Sequence, residues 1–229
     1  MFGLDDMIAN LSDGTTFGIV MAVAVLLGLR HATDPDHLAA VTAVAAGSGQ
    51  RGGRQSAGLG LAWGSGHALT LFAFGLPIVL FAAYLPATMQ RGAEALVGFL
   101  IVALAVWLLA RWWRGHFDPG NDQNGRADAR TPRQAFGVGL LHGIGGSAGV
   151  GAILLATIEN RALAVFGLVV LAAFTALSMT VLTTGLGVAL ARRPVHRSLT
   201  RVIPLLGVTS LAFGAWYALG ALELAPYYF

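Results

Sequence analysis

Six stretches of the chain are apolar for long enough to cross a lipid hydrocarbon core, which takes about 20 helical residues. They run roughly over 16–46, 57–83, 92–112, 135–157, 162–190 and 201–224. None alternates with the period of a barrel strand. Lipid offers no partner to open backbone, so helices are predicted throughout. Between the third and fourth stretches, "RGHFDPGNDQNGRADARTP" is rich in Gly, Asp and Asn and reads as a flexible loop.

The arginines orient these spans. The first loop carries Arg51 and Arg54. The third carries Arg111, Arg114, Arg126, Arg130 and Arg133, and the fifth Arg192, Arg193, Arg197 and Arg201. The opposite side has only Arg91 and Arg161. The positive-inside rule then places both termini outside. No basic n-region opens the chain, so no cleavable signal peptide is expected.

The two halves of the chain echo each other. "GLRH" at 28–31 returns as "GLLH" at 139–142, Thr70 and Gly75-Leu76 as Thr180 and Gly185-Leu186, and Leu96–Gly98 as Leu205–Gly207, at offsets of 111, 110 and 109. Each unit holds three spans, an odd number, so the second must lie inverted, an architecture of transporters with a site near the midplane. The predicted fold is therefore an all-α membrane protein of six transmembrane helices as two inverted three-helix repeats. It forms a single transmembrane domain over 1–229, with repeat 1 over about 16–113, a cytoplasmic loop over about 114–134 and repeat 2 over about 135–225.

Composition agrees with a lipid-embedded chain. Of 229 residues 56% are hydrophobic and 11% charged, against about 25% charged in soluble domains. The absence of cysteine removes disulfides, thiolate metal sites and thiol redox chemistry. All fourteen basic residues are arginine, and the net charge of +3 reflects composition bias, giving no reason to expect a nucleic-acid partner.

The first apolar stretch is interrupted by "RHATDPDHLA", which puts Arg30, His31, Asp34, Asp36 and His37 inside the membrane. Each ionised group there costs roughly 2.5–3.5 kcal/mol on insertion scales. Arg30 and Asp34, four apart, are expected to neutralise each other as charge partners. His31, Asp36 and His37 remain, and two imidazoles with a carboxylate suit Ni, Co, Zn or Cu and not Mg or Ca. On a straight helix, Asp36 and His37 would lie about 140° and 240° around from His31, with His37 about 9 Å away along the axis. One rod cannot aim all three at one ion. Pro35 lacks an N–H and clashes with the preceding turn, so a kink or break near it is predicted.

His67, in "GSGHALT", and His142, in "GLLHGIGG", are expected at a similar depth. The glycines around them permit close helix approach. His116 and His196 fall in Arg-rich loops and read as solvated. Blander roles remain open: a structural polar network for His31, Asp36 and His37, packing histidines for His67 and His142, and a purely structural Arg30–Asp34 pair. Trp107, Trp112, Trp113 and Trp216 read as packing or interfacial aromatics.

Three other readings stand beside transport. "GGSAG" at 145–149 satisfies a serine-hydrolase pattern, but that motif requires a strand before the serine and none is predicted before Ser147. Zinc-dependent intramembrane hydrolysis lacks an H-E-x-x-H sequence. A metal-binding accessory subunit that moves nothing is the third alternative. The preferred reading is a non-enzyme transporter of Ni(II) or Co(II), with no prosthetic group and no nucleotide-binding motif. Imidazole protonation would compete with metal, so transport should fall as pH drops through about 6.5.

At His31–His37 the sequence resembles the nickel/cobalt transporter family, whose signature is His-Ala-x-Asp-Ala-Asp-His in an early transmembrane helix. Here Pro35 replaces the second alanine. Gly66-His67 resembles that family's Gly-His in the following helix. Its long form has eight spans and a later acidic motif, which is not found here. The six-span length and "LLHGIGGSAG" are more similar to the shorter urease-accessory (UreH-like) permease branch. The resemblance implies a multi-pass inner-membrane permease, importing Ni2+ or Co2+ as substrate. It also implies His31, Asp34, Asp36 and His37 as the metal-selective group with His67 nearby. A cytoplasmic metallochaperone or urease maturation system would receive the ion.

Overall fold

Pro35 marks the place where the first apolar stretch stops being one helix. The structure, a computed structural model, describes residues 14–46, 53–81, 86–115, 131–143, 148–191 and 193–226. These hold α1 (Gly14–His31), α2 (Pro35–Ala46), α3 (Gly53–Phe81), α4 (Ala87–Trp113), α5 (Pro132–His142), α6 (Ala148–Ala156), α7 (Arg161–Ala191) and α8 (Arg193–Ala221). Among the described residues, four helical segments are long and apolar enough to cross a membrane: Gly53–Phe81, Thr88–Trp113, Arg161–Ala189 and Val202–Ala221. They lie on the second, third, fifth and sixth apolar stretches.

The first and fourth stretches are each built from two shorter helices. After His31 the chain closes a turn, with the Thr33 and Asp34 N–H groups donating to the carbonyls of Arg30 and His31 at 2.8 and 3.2 Å. The Thr33 hydroxyl adds a bond to the Arg30 carbonyl at 2.6 Å. Pro35 then opens α2 at its first position, where a helix needs no N–H from it. The predicted distortion is thus a stop and a restart. The fourth stretch behaves alike, which the sequence did not announce. Helix α5 starts with a capping box between Thr131 and Gln134, ends at His142 and is capped by Gly143, whose N–H reaches the Gly139 carbonyl at 2.9 Å. Helix α6 begins at Ala148.

Among the described residues, α3 packs along α7 and α4 along α8, while α5 lies against α3 and α1 against α7. The α3–α5 contact needs glycine on both sides. A Cβ on Gly66 would run into the Phe136 carbonyl, and one on Gly139 into the Trp63 carbonyl. The backbones therefore touch where His67 and His142 are carried.

Among the described residues, the two larger apolar clusters lie on either side of the helix break. One joins Val20 and Ala24 to Leu71, Ile78, Leu155 and Leu168. The other joins Ala32 and Val41 to Leu59, Trp63, Leu108 and Met179. Phe81 and Trp113, by contrast, are 76% and 87% exposed, whereas His37, His67 and His142 are fully buried. Large apolar side chains outside and imidazoles inside suit a lipid surround. The chain is a multi-pass, all-helical membrane protein.

Candidate metal site

The break after His31 is what gathers the polar residues. His31 ends α1, Asp36 and His37 sit in the first turn of α2, His67 lies in the middle of α3, and His142 ends α5. All five are buried. The Nε2 atoms of His31 and His67 are 2.8 Å apart. The Asp36 carboxylate bridges two rings, with Oδ1 3.1 Å from His37 Nδ1 and Oδ2 3.2 Å from His142 Nε2. The His37 ring centroid lies 4.3, 4.9 and 4.4 Å from those of His31, His67 and His142. Four imidazoles from four helices thus crowd together with His37 in their midst, and the Asp36 carboxylate holds two of them.

Asp34 stands at the edge of this cluster. Its carboxylate faces His31 Nδ1 at 3.5 Å and accepts from the Arg30 guanidinium at 3.2 Å. The expected Arg30–Asp34 pair is present, but the Arg30 side chain is 68% exposed. A carboxylate behind an imidazole orients the ring and raises its basicity toward an ion on the far nitrogen.

Among the described residues, several polar atoms in the cluster have no partner. His37 Nε2, His67 Nδ1, His142 Nδ1 and Trp63 Nε1 are buried and unbonded. Buried polar groups are rarely left so. With Asp36 accepting from His37 Nδ1 and His142 Nε2, neutral rings would leave His37 Nε2 and His142 Nδ1 as free lone pairs. Among the described residues, His31, His37 and His67 form one group able to hold a metal, and Asp36, His37 and His142 form another. Neutral imidazoles with one carboxylate match a borderline transition metal.

Trp63 has no role in the sequence reading. It sits one turn before His67, with its ring 6.1 Å from His37 and 6.0 Å from His142, and walls the cluster. Its spacing of four from His67 on one helix was the available signal. Thr70 was noticed only as a repeat match. Its hydroxyl donates to the carbonyls of Gly66 and Leu140, at 3.1 and 3.0 Å, tying α3 to α5 beside the histidines. His116 and Ser147 lie outside the described residues, and so does most of the "GGSAG" motif.

Comparison with known proteins agrees with this chemistry. The chain is 26% identical over 211 residues to the urease accessory protein UreH of Bacillus sp. (strain TB-90), covering 86% of this chain and 90% of that protein. No solved structure matches. The profile of NicO, described as high-affinity nickel-transport protein, matches residues 17–147, more than half of the chain and nearly all of the cluster-bearing helices. This buried imidazole–carboxylate cluster lies in a chain that belongs to the NicO family of high-affinity nickel-transport proteins.

Proposed function

We propose that the chain is a secondary permease that carries Ni(II), or Co(II), into the cell across the inner membrane, binding the ion near the bilayer midplane. His31, His37, His67 and His142 would supply imidazole nitrogens. Asp36 would offset the ion's charge, and Asp34, paired with Arg30, would orient His31. The carrying observation is the convergence of three buried imidazoles on that of His37, with Asp36 bridging two of the four and ring nitrogens left unpartnered among the described residues. A structural network would have satisfied those atoms.

Six spans in one domain, with both termini outside, is the topology this reading adopts. The broken α1–α2 and α5–α6 pairs serve as the first and fourth spans. Inverted repeats gain support from the two breaks, since α1 ends at His31 and α5 at His142, the positions the "GLRH" and "GLLH" echo equates. Packing supports it as well: α1 lies on α7 as α5 lies on α3. The Ser178 hydroxyl donates to the Gly28 carbonyl at 2.9 Å, much as Thr70 reaches Leu140. Broken helices near mid-membrane are a recurring way to build ion sites.

The name of the Bacillus relative supports delivery of nickel to urease maturation. Import is inferred from the family resemblance and not from orientation. The deciding experiment is uptake of radioactive nickel by the purified protein in sealed vesicles. Uptake above that of empty vesicles, lost in His37→Ala, is expected. Equal uptake by the variant would refute the site, and metal binding without uptake would favour an accessory subunit.

A further inference from the structure

The cluster's donors do not surround a single point. Its ligand atoms fall into two groups of three, His31/His37/His67 and Asp36/His37/His142, each drawn within 4.8 Å. His37 alone belongs to both. Its Nδ1 faces Asp36 at 3.1 Å while its Nε2 has no partner among the described residues, so the ring has a nitrogen for each group, one carrying its proton while the other ligates. The helices divide the same way: α1 and α3 contribute only to the first group, and α5 only to the second.

We propose that the transported ion occupies two successive stations, an all-imidazole station of His31, His37 and His67 and a carboxylate station of Asp36, His37 and His142, with His37 serving the first through Nε2 and the second through Nδ1. This rests on the transport function proposed above and adds a path within the site. The two stations differ in chemistry. Three neutral rings bind a borderline ion through nitrogen but leave its charge uncompensated, whereas Asp36 brings an opposite charge to the second. The two nitrogens of the ring point apart, so the ion leaves Nε2 as it passes to Nδ1, and the ring's one proton goes from Nδ1 to Nε2. Two divalent ions on one imidazole would repel strongly, so the stations are filled alternately, one ion per chain.

The test uses the purified full-length protein with Co(II), whose visible absorption reports donor type and geometry. Four variants are compared: His31→Ala, His67→Ala, Asp36→Asn and His142→Ala. Damage to the first station should confine the ion to the second, so His31→Ala and His67→Ala should share one spectrum. Asp36→Asn and His142→Ala should share another, more nitrogen-rich spectrum. Each variant should still bind one Co(II), while its flux in vesicles falls roughly tenfold or more. Because each station is tested by two variants, one that fails to fold leaves its partner to report.

Four identical spectra, or pairing in any other pattern, would mean one shared site and overturn the relay while leaving transport intact. A wild-type protein that binds no Co(II), or binds it without carrying Co(II) or nickel, would overturn the transport function and the relay together.

Discussion

His31 and His67 are 36 positions apart in sequence and belong to different helices, yet their Nε2 atoms lie 2.8 Å from each other in the buried interior. One ring donates and the other accepts, so each masks the other. For both nitrogens to hold a metal at the proposed site this hydrogen bond must break, since the one that carries the shared proton has no lone pair to give.

Selectivity follows from that donor set. Co(II), Zn(II) and Cu(II) should compete with nickel for binding, whereas Mg(II) and Ca(II), which prefer oxygen cages, should not compete even at about hundredfold excess. Competition titration against bound Co(II), read by its visible absorption, checks this. Displacement by magnesium would mean that oxygen donors dominate the site.

Close backbone approach holds His142 against His67. Gly139→Ala would force its new methyl into the Trp63 carbonyl, and overpacking of this kind costs about 1–3 kcal/mol. Gly137→Ala, two residues away with nothing near its Cβ position, should stay within about 0.5 kcal/mol of wild type. Thermal unfolding in detergent compares the two. A Gly139→Ala protein as stable as Gly137→Ala would mean that α3 and α5 are farther apart than described.

Pro35 occupies a position that asks little of it. The turn before α2 is already closed by hydrogen bonds from Thr33 and Asp34. Pro35→Ala should therefore shift unfolding by less than about 1 kcal/mol and leave the Co(II) spectrum unchanged. A variant that loses metal binding would show that the proline itself enforces the break.

Arg161 ties two helix ends together. Its guanidinium donates to the carbonyls of Val79, near the end of α3, and Ala156, which ends α6, at 3.1 and 3.0 Å. Positive charge beside C-terminal carbonyls is favourable. Arg161→Ala should cost about 1–2 kcal/mol, and Arg161→Lys should recover part of the loss by keeping the charge without the fork. Unfolding midpoints of the three proteins provide the measurement. Lysine and alanine variants of equal stability would argue against a role for the charge.

Much of the candidate site was legible because burying charge in lipid is costly. Arg30, His31, Asp34, Asp36 and His37 stand out within an apolar stretch, and helix geometry alone shows that a straight rod could not bring His31 and His37 together. His67 and His142 were harder, since a lone histidine on an apolar helix has no partner in its own neighbourhood. The second break, after His142, had no proline to announce it, only glycines that fit a close contact equally well. Trp63 has only its spacing of four from His67 to mark it, which places it on the same helix face but not against His37 and His142.

The sequence by itself determined the solvent and the chemistry: apolar stretches of spanning length require helices in lipid, and imidazoles with carboxylates set among them select a borderline divalent metal. Only the tertiary structure decided which donors meet. The Asp36 bridge from His37 to His142, the His31–His67 pair and the grouping of donors around His37 depend on how α3 and α5 approach at Gly66 and Gly139. Such contacts join residues far apart in the chain, and helical periodicity carries no information about distances between helices.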